Sequence, residues 1–354
     1  MDALPQSRPA ASASAENARS DFARDVVAGL NATPKRIPPK YFYDTAGSRL
    51  FERITALPEY YPTRTEMQIL RDKAGAIAGL VPADGALVEF GSGSSAKVRL
   101  LLAKLPKLGA YVPVDISGEF LGEEAARLRS EHPRLRVVPL AADFTKPFVV
   151  PEPVRDLARA GFFPGSTIGN FDPDDAKAFL RNAASALGPG AAFIVGVDLV
   201  KDEDVLNRAY DDAEGVTAAF NLNLLARANR ELKADFDLDA FAHHAFFNEE
   251  QSRIEMHLVS RRAQQVHVAG ATFAFDEGET IHTENSYKYT VDSFLRLAAD
   301  AGWRGSDVWT DKDRLFSVHA LRAVARGRPG CTCRGTSWRP GRRWRPARSR
   351  FRII

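Results

Sequence analysis

Leu87-Val88-Glu89-Phe90-Gly91-Ser92-Gly93-Ser94-Ser95-Ala96-Lys97 is the stretch on which the fold turns. It reads as a short buried strand, a glycine turn and the first turn of a helix reaching about Leu102. Gly91 and Gly93 let the backbone come close to a ligand where a Cβ would collide. The helix start that follows offers unpaired N–H groups to polar or anionic atoms. The dinucleotide fingerprint G-x-G-x-x-G is incomplete, because Ala96 holds the third small position. Glu89, next to the glycines, suits an amine and a sulfonium, as in S-adenosylmethionine, better than a pyrophosphate. Alone, the stretch equally fits an ordinary α/β turn.

Downstream, strand and helix alternate. Strands are predicted at Ala110–Val114, Leu135–Leu140, Gly161–Phe163 and Ala191–Val197, with helices from Ser95, Gly118 and Asp172 or Pro173 between them. This rhythm implies right-handed crossovers and a parallel, doubly wound sheet whose ligand lies across the strand carboxyl ends. Three acids mark successive strand ends: Glu89, Asp115 and Asp143. An acid at the second end can accept both ribose hydroxyls, and Asp143 with the Phe144 backbone can read an adenine edge. Glu89, Gly91, Ser92, Gly93, Lys97, Asp115, Asp143 and Phe144 are therefore the candidate cofactor residues.

Upstream, apolar residues Phe22, Val26, Val27 and Leu30 fall at helical spacing behind Ser20. A second helix carries Leu50, Phe51 and Ile54, and Leu57–Glu66 reads as a loop leading into a helix that ends near Leu80. Between Lys201 and Asn285 the alternation stops. Two helices (Asp204–Ala213, Val216–Arg230) precede the alternating run Arg253–Val259. Residues 17–63 and 201–286 are thus read as an α+β substrate-binding subdomain, and 64–200 with 287–325 as the cofactor-binding domain. Residues 1–16 read as a disordered leader and 326–354 as a disordered basic tail.

Composition is that of an ordinary soluble chain of 354 residues, and no apolar run is long enough for a membrane span. The net charge of +3 misleads: ten of the 48 basic residues lie beyond Ala325 with no acid among them, and the other 38 face 45 acids. An acidic body argues against a nucleic-acid enzyme. Both cysteines, Cys331 and Cys333, lie in the tail, so the body has no disulfide framework, which fits the cytosol. His243 and His244 with Glu249 and Glu250 invite a metal reading, but adjacent side chains do not face one ligand. No metal is expected.

Four further blocks carry a resemblance. Pro38-Pro39-Lys40-Tyr41-Phe42-Tyr43-Asp44, Leu57-Pro58-Glu59-Tyr60-Tyr61-Pro62-Thr63-Arg64-Thr65-Glu66, Gly165-Ser166-Thr167-Ile168-Gly169-Asn170 and Tyr210-Asp211-Asp212 closely resemble the histidine Nα-methyltransferases of ergothioneine biosynthesis. The resemblance spans about Asn17 to Ala323. It implies a Rossmann-like class I methyltransferase that uses three molecules of S-adenosylmethionine to turn free L-histidine into trimethylhistidine, hercynine. By position it implies that Asn170 and Tyr210 grip the substrate carboxylate and that Tyr60, Glu284 and Ser286 read the imidazole. Tyr43 and Gly165 become neighbours of the amine, and Phe51 and Met256 apolar walls. Read without the resemblance, Glu284 is a surface strand residue, Ser286 a turn residue and Met256 simply core.

The chemistry agrees with such a site. A methyl acceptor needs a lone pair, so the third transfer, which leaves a quaternary ammonium, ends the reaction. That product has no N–H and can be held only by charge or aromatic faces; Tyr43 and Phe51 suit the role. A sulfonium is already activated, so proximity and alignment should dominate, with protons leaving to water or through Tyr43. A monomer is expected. The rival readings are methylation of another amino acid such as tryptophan, and a non-catalytic adenosyl-ligand sensor docking through the basic tail.

Overall fold

The computed structural model describes residues 10–324 apart from Ser94 and Ser117; the basic tail lies outside them. Strands β1 (Lys35–Arg36), β2 (Ala86–Phe90), β3 (Ala110–Asp115), β4 (Arg136–Val137), β5 (Leu140–Ala141), β6 (Arg159–Phe163) and β7 (Ala192–Asp198) come first in the chain. They are followed by β8 (Phe241–Asn248), β9 (Arg253–Ser260), β10 (Gln264–Val268), β11 (Ala271–Phe275), β12 (Thr280–Tyr287), β13 (Trp303–Thr310) and β14 (Phe316–Ala323). The α-helices are α1 (Ala10–Leu30), α2 (Thr45–Ala56), α3 (Tyr61–Ala78), α4 (Ala96–Leu102), α5 (Gly118–Glu131), α6 (Pro173–Leu187), α7 (Glu203–Tyr210), α8 (Val216–Leu232) and α9 (Val291–Asp300).

The large sheet runs β13-β14-β7-β6-β2-β3-β4, with β5 also pairing β3. Its strands are parallel from β4 to β7, and β14 and β13 add antiparallel. Strand order reverses between β2 and β6, so a crevice opens at the carboxyl ends of these two strands, beyond Phe90 and Phe163. Both faces of the sheet are covered: Val88, Phe90 and Phe193 pack towards α6 and α9, and Leu87, Tyr111 and Ile194 towards α3, α4 and α5. This is the doubly wound sheet expected from the alternation.

A second sheet, β1-β12-β9-β8, supplies the other wall, and its inner face shares a core with α1, α2 and α8 through Phe42, Phe220, Ile254 and Met256. Gly169 is where this sheet meets the large one. A Cβ there would lie 2.7 Å from the Tyr287 carbonyl oxygen, so the 3-10 turn Thr167–Asn170 presses directly on the β12 backbone.

Several boundaries differ from expectation. The strand predicted over Leu135–Leu140 is two short pairings, β4 and β5, because Pro139 between them has no N–H to give the ladder. The predicted loop Leu57–Glu66 ends early: α3 starts at Tyr61 with Pro62 in its first turn, where a missing N–H is harmless. Helix α1 begins at Ala10, inside the stretch read as leader. Strand β6 is poor in β-branched residues yet central. At Gly161 a Cβ would run into Leu187 and Phe193, whose side chains already fill the space.

Candidate active site

At the crevice, Gly91 (φ 67°) and Gly93 (φ 36°) hold left-handed backbone that favours glycine. The N–H groups of Gly91 and Ser92 both donate to the Val114 carbonyl, tying the turn to the end of β3. A Cβ on Gly91 would touch the Phe144 ring at 3.4 Å, so the turn and the segment after β5 form one narrow cradle. The Gly93 N–H donates to the Asp115 carboxylate at 3.3 Å. Asp143 accepts from the Thr145 N–H at 3.1 Å and pairs with Lys146 at 3.1 Å. Burial pushes its carboxyl up, but these bonds outweigh it and leave the pKa below the usual value. Glu89 is buried beneath the turn and accepts from the Tyr111 hydroxyl. Burial lifts its carboxyl to about 8, so it carries little charge at neutral pH.

Across the crevice lies a residue the sequence reading missed. Glu66, in the first turns of α3 and fully buried, accepts from the Gly165 N–H at 2.9 and 3.0 Å and pairs with Lys97 at 2.7 Å. One carboxylate therefore fixes both Gly165 and Lys97. Gly196 makes room for it, since a Cβ there would collide with Glu66 Oε1. Gly165 itself has φ 85° and lies where a Cβ would meet Lys97 Nζ at 3.3 Å.

Beyond Gly165 the pocket wall is aromatic. Ring centroids connect Tyr43 to Phe51 (5.7 Å), Phe51 to Tyr60 (6.3 Å) and Tyr60 to Tyr210 (6.2 Å), all edge-on. Phe220 on α8 backs Tyr43 at 5.8 Å and Phe51 at 6.0 Å; read from sequence it is one more apolar helix residue. Tyr43 is 39% exposed, yet surrounding protein raises its pKa well above 10, with Glu284 adding to the effect. Its phenol, like those of Tyr60 and Tyr210, stays neutral at physiological pH.

Glu284 reaches the same pocket through a strand irregularity. Along β12, His282 pairs with His257 but Glu284 pairs with Met256, leaving Thr283 as an extra residue. Simple alternation would put His282, Glu284 and Ser286 on one face. The bulge separates His282 from the other two and turns Glu284 and Ser286 inward beside Met256 and Ile254. The Thr283 hydroxyl pins the bulge, 2.8 Å from Asn221 Oδ1 and 3.0 Å from the Met256 carbonyl. Burial raises the Glu284 carboxyl to about 7, against the lowering influence of Lys288. Ser286 Oγ lies 2.7 Å from the Tyr210 hydroxyl. Asn170 closes the 3-10 turn next to β12, and its amide has no protein hydrogen bond among the described residues.

The family described as histidine-specific methyltransferase, SAM-dependent, matches residues 22–323. The chain belongs to that family. It is 46% identical over 310 residues to the histidine N-alpha-methyltransferase of Mycolicibacterium smegmatis, covering 86% of this chain and 95% of that one. To the Mycobacterium tuberculosis enzyme of the same name it is 45% identical, covering 83% and 92%. Ergothioneine biosynthesis protein 1 of Neurospora crassa is 30% identical over 81% of this chain, which spans a third of that protein's length.

As a member of this methyltransferase family the chain uses S-adenosylmethionine, and the cradle fits an adenosyl ligand: left-handed glycines, a carboxylate at the end of β3 and an aromatic ring against the turn. A different cluster, Glu255, His257 and His282, has ligand atoms within 4.8 Å of one another on the opposite face of the second sheet. It is built for packing. Glu255 is held by Arg253 at 2.7 Å and Asn248 at 2.8 Å, and the two imidazoles stack at 4.7 Å with planes 14° apart, so their lone pairs do not converge. Among the described residues no helix is long and apolar enough to cross a membrane.

Proposed function

We propose that this chain methylates the α-amine of free L-histidine three times to give hercynine, the opening step of ergothioneine biosynthesis. The observation that carries the reading is the inward turn of Glu284 beside Ser286 and Tyr210, facing an aromatic wall. A carboxylate that accepts the imidazole N–H, with the Ser286 hydroxyl oxygen beside it, reads a two-nitrogen ring. A ligand lacking that donor leaves Glu284 buried and unpaired, so rejection exceeds the worth of the bond itself.

The roles follow from position. Asn170 and Tyr210 hold the carboxylate, Tyr60, Glu284 and Ser286 the ring, and Phe51 and Met256 the apolar flanks. Tyr43 and Gly165 sit by the amine. S-adenosylmethionine supplies a sulfonium methyl from the cradle of Gly91, Ser92, Gly93, Lys97, Asp115, Asp143 and Phe144, with Glu89 supporting the turn from below. Each transfer makes an N–C bond, breaks an S–C bond and releases one proton. Tyr43 is a neutral phenol, so it moves that proton only by passing on its own. The final quaternary nitrogen is held by the faces of Tyr43 and Phe51. The acidic, cysteine-free body supports a cytosolic enzyme acting on a small molecule rather than on nucleic acid; we read it as a monomer, with 17–63 and 201–286 forming the substrate-binding part.

Incubation of the full chain with S-adenosylmethionine and each common amino acid, read by mass, tests this. Products at +14, +28 and +42 from histidine alone are expected. Tryptophan as the preferred acceptor, or no transfer despite cofactor binding, would displace the reading.

A further inference from the structure

Beneath the pocket lies a buried charge cluster that no role above uses. Lys288 Nζ is wholly shielded from solvent and has three N–H donors. They are matched by three acceptors: Ser286 Oγ at 2.7 Å, Asp198 Oδ2 at 2.8 Å and Tyr210 Oη at 2.9 Å. Asp198 is held in turn by Lys201 at 2.6 Å and by the Tyr61 hydroxyl at 2.7 and 2.8 Å. Burial pushes the Asp198 carboxyl up, but the two lysines outweigh it and keep it ionised.

Proton counting gives this cluster a consequence. Tyr210 Oη and Ser286 Oγ both accept from Lys288, and they lie 2.7 Å apart, so one of them donates to the other. Of their two hydroxyl protons only one remains for a ligand. It leaves either from Ser286 towards the ring or from Tyr210 towards the carboxylate. A cation one hydroxyl away from both favours donation to the anionic end of the ligand.

We infer that Lys288 is a positioning residue: through Tyr210 and Ser286 it directs the shared hydroxyl proton to the substrate carboxylate and makes recognition of that carboxylate strong. The inference rests on the histidine reading above, and it concerns ligand discrimination rather than the methyl transfer itself.

The test compares L-histidine with histamine, which has the same ring and amine but no carboxylate. Both are titrated calorimetrically into the full chain saturated with S-adenosylhomocysteine, histamine by competition where it binds weakly. In the Lys288→Met variant, histidine affinity should fall at least tenfold and histamine affinity less than threefold, with S-adenosylhomocysteine affinity unchanged. An equal loss for both ligands, or no loss for histidine, overturns the inference, because a structural role would not distinguish them. If the methionine variant does not fold, Lys288→Arg carries the test. It keeps the charge and should keep the preference for histidine even where both affinities shift; a collapsed preference overturns the proposal. Failure of the wild-type chain to bind or methylate histidine would instead strike the functional reading.

Discussion

Glu284 shows how one carboxyl can trade stability for recognition. Its pKa rises from 4.5 to about 7 on folding, so between those values the folded chain binds more protons than the unfolded one. Stability attributable to this group is therefore lost as pH climbs through that window. Glu284→Gln should raise the thermal midpoint at pH 8 by a few degrees and converge with the wild type near pH 4.5 in paired melting curves. Calorimetry on the same variant should show histidine bound about tenfold or more weakly, since a charge-assisted bond contributes ~1.5–3 kcal/mol, with cofactor affinity intact. Glu66 makes the opposite case. Replacing it by alanine strips the partner from Lys97 and the acceptor from Gly165, and loss of a buried ion pair costs about 3 kcal/mol. A lower melting temperature and slower methylation are expected, with Glu66→Gln recovering part of the stability because it still accepts from Gly165. Neither the importance of Glu66 nor that of Lys288 was legible in the sequence, since their partners lie up to 99 and 90 residues away and no local pattern joins them. Glu89, by contrast, stood out in sequence next to the glycines, and the structure gives it a tyrosine partner inside the fold.

At the scale of elements, the glycine turn after β2 was readable because the need for left-handed backbone narrows the residue type to glycine. The same holds for the crevice: strand–helix alternation dictates where a parallel sheet reverses its order. The bulge in β12 was not readable. Its eight residues alternate acceptably in either phase, and only pairing with β9 shows that Thr283 is supernumerary. Thr283→Val removes the hydroxyl that pins this irregularity to Asn221 and Met256. The hydrogen bond is worth about 1 kcal/mol, so histidine affinity should fall roughly fivefold in a titration that leaves S-adenosylhomocysteine binding unchanged.

Taken whole, the molecule brings together groups from distant parts of the chain: Tyr43 and Tyr60 from the first quarter, Gly165 and Asn170 from the middle, Glu284 and Ser286 from near the end. Their residue types were visible early, but their convergence depends on packing of the second sheet against the turn at Gly169. The family match ends at 323, within β14, so removing Gly327 to Ile354 should leave the turnover of histidine within a factor of two, measured by product mass. The supernumerary threonine also governs how kindred chains ought to be compared. A relative one residue shorter at this point keeps its acid aimed at the ligand without any kink. An alignment that slides residues instead of opening a gap there would equate that acid with Thr283 rather than with Glu284, and would misreport which amino acid the relative accepts.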